Sequence, residues 1–186
     1  MAILKIARMG HPVLMRPAEP VADPTSPEIK RVVADMIETM DDADGRGLAA
    51  TQVHINKRIV VFRPPPDDPK QPEGPNGPVL ALINPDITVL GEEMDEGWEG
   101  CLSVPGLRGV VPRYTKIRYR GVTPSGEKID RTVSGYHARV VQHEVDHLDG
   151  VLYPQRMKDL GLLVFESEFE RFLGQGTETG DEAHAE

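Results

Sequence analysis

The segment VVQHEVDHLDG, residues 140–150, contains two histidines, His143 and His147, four positions apart, with Glu144 beside the first. If this segment is helical, the two imidazoles lie one above the other, with roughly 6 Å between their Cβ atoms. Both can then bind one metal ion while the Glu144 carboxylate stays available as a general base. The pattern is short, so two histidines that merely share a helix face remain the alternative.

A catalytic metal ion usually has three protein ligands and one open position. Downstream of His147 the next histidine is His184, in an acidic tail, which disfavours a metalloprotease of the H-E-x-x-H class. Upstream, Cys101 lies in EGWEGCLSVPG, residues 96–106, whose glycines and prolines predict a constrained loop. As the single cysteine of the chain, Cys101 is either a buried small apolar residue or a thiolate ligand. The two histidines favour the thiolate, in a Cys-His-His site.

A third segment, GRGLAATQ at residues 45–52, is rich in small residues and ends in Gln52. Small side chains let the backbone approach a ligand closely, and the Gln52 amide can donate a hydrogen bond. A tight, well-packed turn is the alternative for this segment. The sequence contains no glycine-rich phosphate-binding motif of the P-loop or dinucleotide-binding type.

The composition is that of an ordinary globular domain, with 39% hydrophobic and 27% charged residues among 186. No apolar run approaches the roughly 18 residues of a membrane span, and the first residues lack the apolar core of a signal peptide. These features predict a cytoplasmic protein without membrane contact. The net charge of −9 argues against a broad nucleic-acid surface.

Two helices are predicted with clear ends. Ser26 is a candidate N-cap with Pro27 at the first helical position, and apolar residues at helical spacing continue the pattern to about residue 42. The histidine motif falls in a second helix, residues 135–148, which Gly150 follows as a stop signal. A third helix is predicted over residues 158–173, and residues 175–186 form an acidic, disordered tail.

The segments between the helices predict strands. NKRIVVFR reads as one strand, VLALINPDITVLG as two strands with a turn at Asn84, and residues 114–135 as a hairpin. Residues 64–78 are too rich in proline and glycine for regular structure and predict a surface loop. The prediction is one compact α+β domain over residues 1–174, with antiparallel strands around a central metal-binding helix and a helix toward each end.

GRGLAATQ, EGCLS and QHEVDHLDG, in this order, resemble the three signature motifs of the peptide deformylase family, in its bacterial and organellar type 1 branch. GHPVL, VPR and GYHAR extend the resemblance over residues 8–157. The resemblance implies a hydrolase that removes the formyl group from the N-terminal formyl-methionine of new polypeptides and releases formate. It also implies one divalent metal ion, physiologically ferrous iron, for which zinc, nickel or cobalt can substitute.

Carried over by position, the resemblance makes Cys101, His143 and His147 the metal ligands and Glu144 the general acid and base. Gln52 and the backbone N–H of Leu102 would donate to the oxyanion that forms during attack on the formyl group. Residues implied to contact the substrate are Gly47, Gly100, Arg108, Arg46 and Arg139. Glu99 and Arg113 match a pair that holds the cysteine loop. Asp146 is either a partner of a ligand histidine or an exposed carboxylate, and His54 and His137 are predicted to be structural.

Two positions depart from the pattern of the family. Arg46 and Arg139 stand where apolar residues are common, and Arg139 matches a position that lines the methionine pocket. We expect the methylenes of Arg139 to line this pocket while its charged group reaches water. A deformylase-like scaffold that only binds peptides is a further alternative, which the presence of Glu144, Gln52 and Cys101 disfavours.

The predicted partners are nascent formyl-methionyl peptides, with at most transient ribosome contact. Residues 158–186 carry eight acidic and two basic residues, a net charge of −6. Because affinity for RNA rests on cationic side chains that neutralise phosphates, this end of the chain is not expected to bind the ribosome.

Overall fold

The computed structural model describes residues 2–65 and 78–173. Its two long helices within these ranges are α1 (Pro27–Asp42) and α2 (Gly135–Leu148). The strands are β1 (Gly47–Ala49), β2 (Ile59–Phe62), β3 (Leu80–Val89), β4 (Met94–Cys101), β5 (Val104–Tyr114), β6 (Lys116–Val122), β7 (Lys128–Ser134) and β8 (Val164–Phe165).

A five-stranded antiparallel sheet, in the order β1-β2-β3-β6-β7, lies between the two long helices. Strand β2 illustrates that the sheet is covered on both faces, because all four of its residues are buried. Ile59 and Val61 belong to the core formed with α1, whereas Val60 and Phe62 belong to the core formed with α2. Successive side chains of a strand point to opposite faces, so an apolar run without alternation requires cover on both sides.

Both long helices begin and end where the sequence predicts. The Ser26 hydroxyl accepts a hydrogen bond from the Ile29 backbone N–H, 3.3 Å away, and so caps the start of α1. Beyond α2, Gly150 has a φ of 76°, the left-handed conformation that follows many helix ends.

The second sheet has the order β4-β5-β8 and is also antiparallel. The pairing of β4 with β5 is irregular between Gly100 and Cys101, which ends the regular ladder at the cysteine. Helix α2 contacts strands of both sheets. The predicted α+β domain with a central helix is thus confirmed.

Strand β3 differs from the prediction of two strands and a turn. It is one strand that is distorted at Asn84, where φ is 51° and the register with β6 shifts between Ile83 and Asp86. The Asn84 side chain accepts a hydrogen bond from the Val21 N–H (2.8 Å) and donates one to the Val21 carbonyl (2.9 Å). These long-range bonds hold the left-handed residue inside the strand, which local sequence does not indicate.

The predicted helix over residues 158–173 is wrong in its first half. A 3₁₀ turn (Leu160–Leu162) and strand β8 come first, and helical turns follow as α3 (Glu166–Glu168) and a π-turn (Phe169–Leu173). The cause is tertiary, because Val164 and Phe165 pair with the edge of β5.

The predicted tail and most of the predicted loop at residues 64–78 lie outside the described residues. Among the residues that the structure describes, no helix has the length and apolar character needed to cross a bilayer.

Candidate active site

The end of β4 and one face of α2 bring three potential metal ligands together. The Sγ of Cys101 and one ring nitrogen each of His143 and His147 all lie within 4.8 Å of one another. The Cys101 Sγ is 3.3 Å from the His147 Nε2. A thiolate with two imidazoles is a donor set that suits divalent zinc, iron, nickel or cobalt. The residues present therefore fit the single metal ion that the sequence predicts.

The surroundings of Cys101 favour its thiolate form. Burial alone would raise the pKa of the Cys101 thiol, but the adjacent imidazoles of His147 and His143 outweigh burial and hold this pKa well below its ordinary value. The Ser103 backbone N–H also donates a hydrogen bond to the sulfur at 3.4 Å. Because the thiolate is the metal-binding form of cysteine, these contacts prepare Cys101 as a ligand.

Glu99 fixes the orientation of one ligand histidine. Its Oε2 is 2.8 Å from the Nδ1 of His143, which leaves the Nε2 of that ring to face the cluster. Glu99 also accepts hydrogen bonds from Arg113 (3.0 Å) and from Arg139 (2.9 Å). Burial would raise the pKa of Glu99, but the hydrogen bonds from His143 and Arg113 outweigh it and lower this pKa to about 2. Glu99 is therefore an ionised carboxylate behind the metal site.

Asp146 does not bond to a ligand histidine, and it is not an exposed helix carboxylate either. It is 7% exposed and accepts hydrogen bonds from Arg113 and from Arg156, the latter at 2.8 Å. Asp146 thus holds Arg113, Arg113 holds Glu99, and Glu99 orients His143. The predicted Glu99–Arg113 pair is present. It orients His143 through Glu99, which lies on the same strand as Cys101.

Glu144 is buried on α2, with its carboxylate against β1. A Cβ atom at Gly47 would overlap this carboxylate, so a glycine at position 47 makes room for it. Among the described residues, the buried Oε2 of Glu144 has no hydrogen-bond partner. Burial raises the pKa of Glu144 above its usual value. A buried carboxylate with an unused oxygen and a raised pKa suits a group that takes up and returns a proton.

Gln52 presents its amide N–H groups to the cluster. Its Oε1 accepts a hydrogen bond from the Ala49 N–H at 2.8 Å, which assigns the Nε2 to the opposite side. The Nε2 lies 3.1 Å from the Ser103 Oγ and 3.6 Å from the Cys101 Sγ. Leu102 follows the cysteine in the turn between β4 and β5 and lines the same cavity. Both predicted oxyanion donors therefore lie beside the ligand cluster.

A cavity of about 580 Å³ opens beside the cluster. It is lined by every predicted substrate-contacting residue, namely Gly47, Gly100, Arg108, Arg46 and Arg139. Arg46 is exposed, as expected at the cavity mouth. The guanidinium of Arg108 lies 3.6 Å from the Glu166 carboxylate and 5.0 Å from the centre of the Phe169 ring. Glu166, which follows β8, also lines this cavity.

Arg139 lines the cavity, but the expectation that its charged group reaches water is wrong. The residue is only 9% exposed. Its guanidinium donates to the Val111 carbonyl at 2.7 Å, to the Asp95 carbonyl at 2.8 Å and to the Glu99 carboxylate. A buried cation requires such compensation, and the carbonyl groups of β4 and β5 provide it. The side chain therefore turns toward the second sheet and away from solvent.

Two residues at the site, Ser103 and Tyr153, are not among those predicted from the sequence. Ser103 is fully buried and contacts both Gln52 and the cysteine sulfur, and its place two residues after Cys101 was an available signal. The ring of Tyr153 stacks on His143, with 6.3 Å between ring centres, and no pattern in the sequence indicates this contact.

His54 and His137, predicted to be structural, contact other aromatic rings: His54 packs on His11 and His137 on Phe62.

The chain resembles known proteins over most of its length. A sequence model of the family described as polypeptide deformylase matches residues 3–162. The chain belongs to this family. Peptide deformylase 1 of Nitrosomonas europaea is 49% identical over 158 residues, 85% of this chain and 89% of that protein. Peptide deformylase 1 of Bordetella pertussis is 52% identical over 155 residues, 83% of this chain and 88% of that protein.

Solved deformylase structures share the fold. The Met-Ala-Ser-bound crystal structure of the class I type b peptide deformylase from Acinetobacter baumannii matches with a TM-score of 0.76 and 37% identity, covering 84% of this chain and 99% of that one. Peptide deformylases are hydrolases of protein biosynthesis that remove the N-formyl group from nascent peptides, so this chain is an enzyme of that activity. Membership of this family and the cluster of Cys101, His143 and His147 together imply that the enzyme binds one metal ion.

Glu99→Gln is expected to lower the free energy of unfolding by about 3–5 kcal/mol, because it leaves the buried guanidinium of Arg139 without its buried carboxylate partner and removes one of the two carboxylates that Arg113 binds. Urea unfolding of chelator-treated protein measures this. The matched control is Glu96→Gln on the same strand, whose exposed pairing with Lys158 should be worth less than about 1 kcal/mol. Equal effects of the two substitutions would contradict the buried network.

Proposed function

We propose that Cys101, His143 and His147 hold the metal ion of this deformylase, with ferrous iron as the physiological metal and zinc, nickel or cobalt as substitutes. The observation that carries this proposal is the approach of the three ligand atoms to within 4.8 Å of one another beside a buried glutamate. When bound, such a cation lowers the pKa of water so that hydroxide is available near neutral pH.

Glu144 is the general base and then the general acid. Its buried carboxylate accepts a proton from the attacking water and returns it to the amine of methionine as the C–N bond breaks. General acid–base catalysis of this kind contributes about 10²–10⁴-fold to the rate. The close approach of the Glu144 carboxylate to Gly47, with both residues lining the cavity, supports this role.

Gln52 and the backbone N–H of Leu102 stabilise the tetrahedral oxyanion. The Gln52 amide is oriented before substrate arrives, because its oxygen is already bonded to the Ala49 N–H. Removal of one such preorganised donor costs about 3–4 kcal/mol in an acyl-transfer enzyme. The carbonyl of the formyl group would lie between these donors, and the products are formate and a peptide with a free amino terminus.

The substrate class is N-formyl-methionyl peptides, in an extended conformation. The A. baumannii relative has been crystallised with Met-Ala-Ser, which corresponds to a deformylated product. Backbone groups of Gly47 and Gly100 border the cavity and would pair with the peptide, while Arg46 and Arg108 would contact its outer part. We assign the catalytic domain to residues 1–174, which act in the cytoplasm.

A metalloprotease is the alternative that shares the H-E-x-x-H pattern. The third potential ligand here is Cys101, which is separated from the motif helix by the three strands β5, β6 and β7, and this favours the deformylase. The test compares formate release from formyl-Met-Ala-Ser with hydrolysis of unformylated Met-Ala-Ser. A deformylase releases formate and leaves the second peptide intact, whereas a protease would cleave its peptide bonds.

We expect this enzyme not to dock on the ribosome through its C-terminus, because residues 174–186 contain four acidic residues and no lysine or arginine. Co-sedimentation with ribosomes at low salt should be equal for the full chain and for a chain that ends at residue 173. A truncation near Met157 would remove the whole acidic segment that begins at residue 158, but it is unsuitable for this test because it also removes β8 from the edge of β5. If truncation at residue 173 abolished co-sedimentation, the charge argument would be wrong.

A further inference from the structure

A second cavity lies next to the substrate cavity. Its volume is about 370 Å³, and it is bordered by the start of β4, the end of β5 and the start of α2. Tyr136 and Arg139 line both cavities, so these two side chains form the partition between them. Tyr136 is 45% exposed, whereas Arg139 is buried, so Arg139 forms the inner part of the partition.

The partition is rigid because Arg139 is held at several points. Its guanidinium donates to backbone carbonyls of β4 and β5 and to Glu99 over distances of 2.7–2.9 Å. Its charge is balanced by the Glu99 carboxylate, which lies 2.9 Å from the guanidinium. A side chain that is fixed and electrically balanced can limit the size of an apolar ligand group.

The arginine fits because residue 97 is glycine. A Cβ atom at Gly97 would lie 2.8 Å from the Cζ and 2.9 Å from the Nη2 of Arg139. The space between β4 and α2 can therefore hold either a side chain from the strand or the arginine from the helix. In this chain Arg139 of the helix fills the space, so a larger side chain at position 97 would require a smaller one at position 139.

We propose that Arg139 sets the maximum length of the first side chain of the substrate by closing off the second cavity. This inference rests on the proposed function. Only the nitrogen and Cα separate the formyl carbon from the methionine Cβ, so the methionine side chain lies beside the reacting centre. Arg139 is one helical turn before His143, a spacing of roughly 6 Å between Cβ atoms. Loss of the guanidinium joins the two cavities and admits longer side chains.

The test measures kcat/KM for formyl-Met-Ala-Ser and for formyl-homophenylalanine-Ala-Ser with the metal-loaded enzyme. The ratio of the two values is independent of the fraction of active protein. For Arg139→Ala we expect the ratio to shift toward homophenylalanine by at least about tenfold, since even one extra methylene in an apolar pocket is discriminated by about 10–200-fold. Arg139→Met, which retains an apolar stem, should shift it less in the same direction.

Two further variants make the test specific. Gly97→Leu combined with Arg139→Ala refills the space from the strand and should return the ratio toward that of wild type. Arg156→Ala removes another arginine of the same network, which does not line the substrate cavity, and should change the ratio less than about twofold.

An unchanged ratio in both Arg139 variants would overturn the inference, as would a double variant that shifts the ratio further. If the wild type released no formate from either substrate, the proposed function would fail, and this outcome is distinct from an unchanged ratio.

Discussion

Replacement of Glu144 with glutamine is expected to lower kcat/KM for formyl-Met-Ala-Ser by about 10²–10⁴-fold while one metal ion per chain remains bound. The ligand atoms belong to Cys101, His143 and His147, and Glu144 is not among them. Glutamine is nearly the same size as glutamate, so it fits the space that Gly47 leaves. It cannot take up a proton, and the loss therefore falls on the proton-transfer steps.

The matched control for this variant is Asp149→Asn. Asp149 is an exposed carboxylate just after the same helix, paired with Arg58 at 2.7 Å, and it does not line the cavity. This variant should retain wild-type activity. A Glu144→Gln enzyme with more than about a tenth of wild-type activity would show that another group transfers the proton.

Replacement of Cys101 with serine should remove metal and activity together. The imidazoles of His147 and His143 lower the pKa of the cysteine thiol, so the thiolate forms readily. A serine hydroxyl has no comparable tendency to ionise, and it offers a harder oxygen donor in place of a soft sulfur. Metal content after dialysis and the rate of formate release measure the two effects in the same preparation.

Chelator-treated wild type is the appropriate reference, because the sequence has one cysteine and no second thiol can serve as a matched control. The wild type should regain activity when metal is added back at micromolar concentration, and Cys101→Ser should not. A serine variant with one metal per chain and normal turnover would make Cys101 a structural residue and would leave the site with two protein ligands.

The sequence was sufficient to predict the two long helices and the three potential metal ligands that the structure brings together. Ser26 and Pro27 mark the start of α1 by local chemistry, and Gly150 marks the end of α2 in the same way. The i, i+4 spacing of His143 and His147 places both rings on one face of any helix. These features depend only on residues that are close together in the sequence, so the sequence alone is enough to predict them.

Features that depend on distant residues were not predictable. Arg139 turns inward because Gly97, 42 positions away, lacks a side chain. The residues next to Arg139 in the sequence do not indicate this orientation. Asp146 was ambiguous because its partners come from β5 and from the segment after α2. Residues 164–165 form a strand because the edge of β5 is available to pair with them.

The most direct test of metal-dependent deformylation is a metal titration of chelator-treated protein under anaerobic conditions, in which the formate and Met-Ala-Ser released from formyl-Met-Ala-Ser are measured. We expect ferrous iron to restore activity to a maximum at one ion per chain, and formate and Met-Ala-Ser to appear in equal amounts. Full activity of the metal-free protein, or cleavage of Met-Ala-Ser itself, would contradict a deformylase whose metal is held by Cys101, His143 and His147.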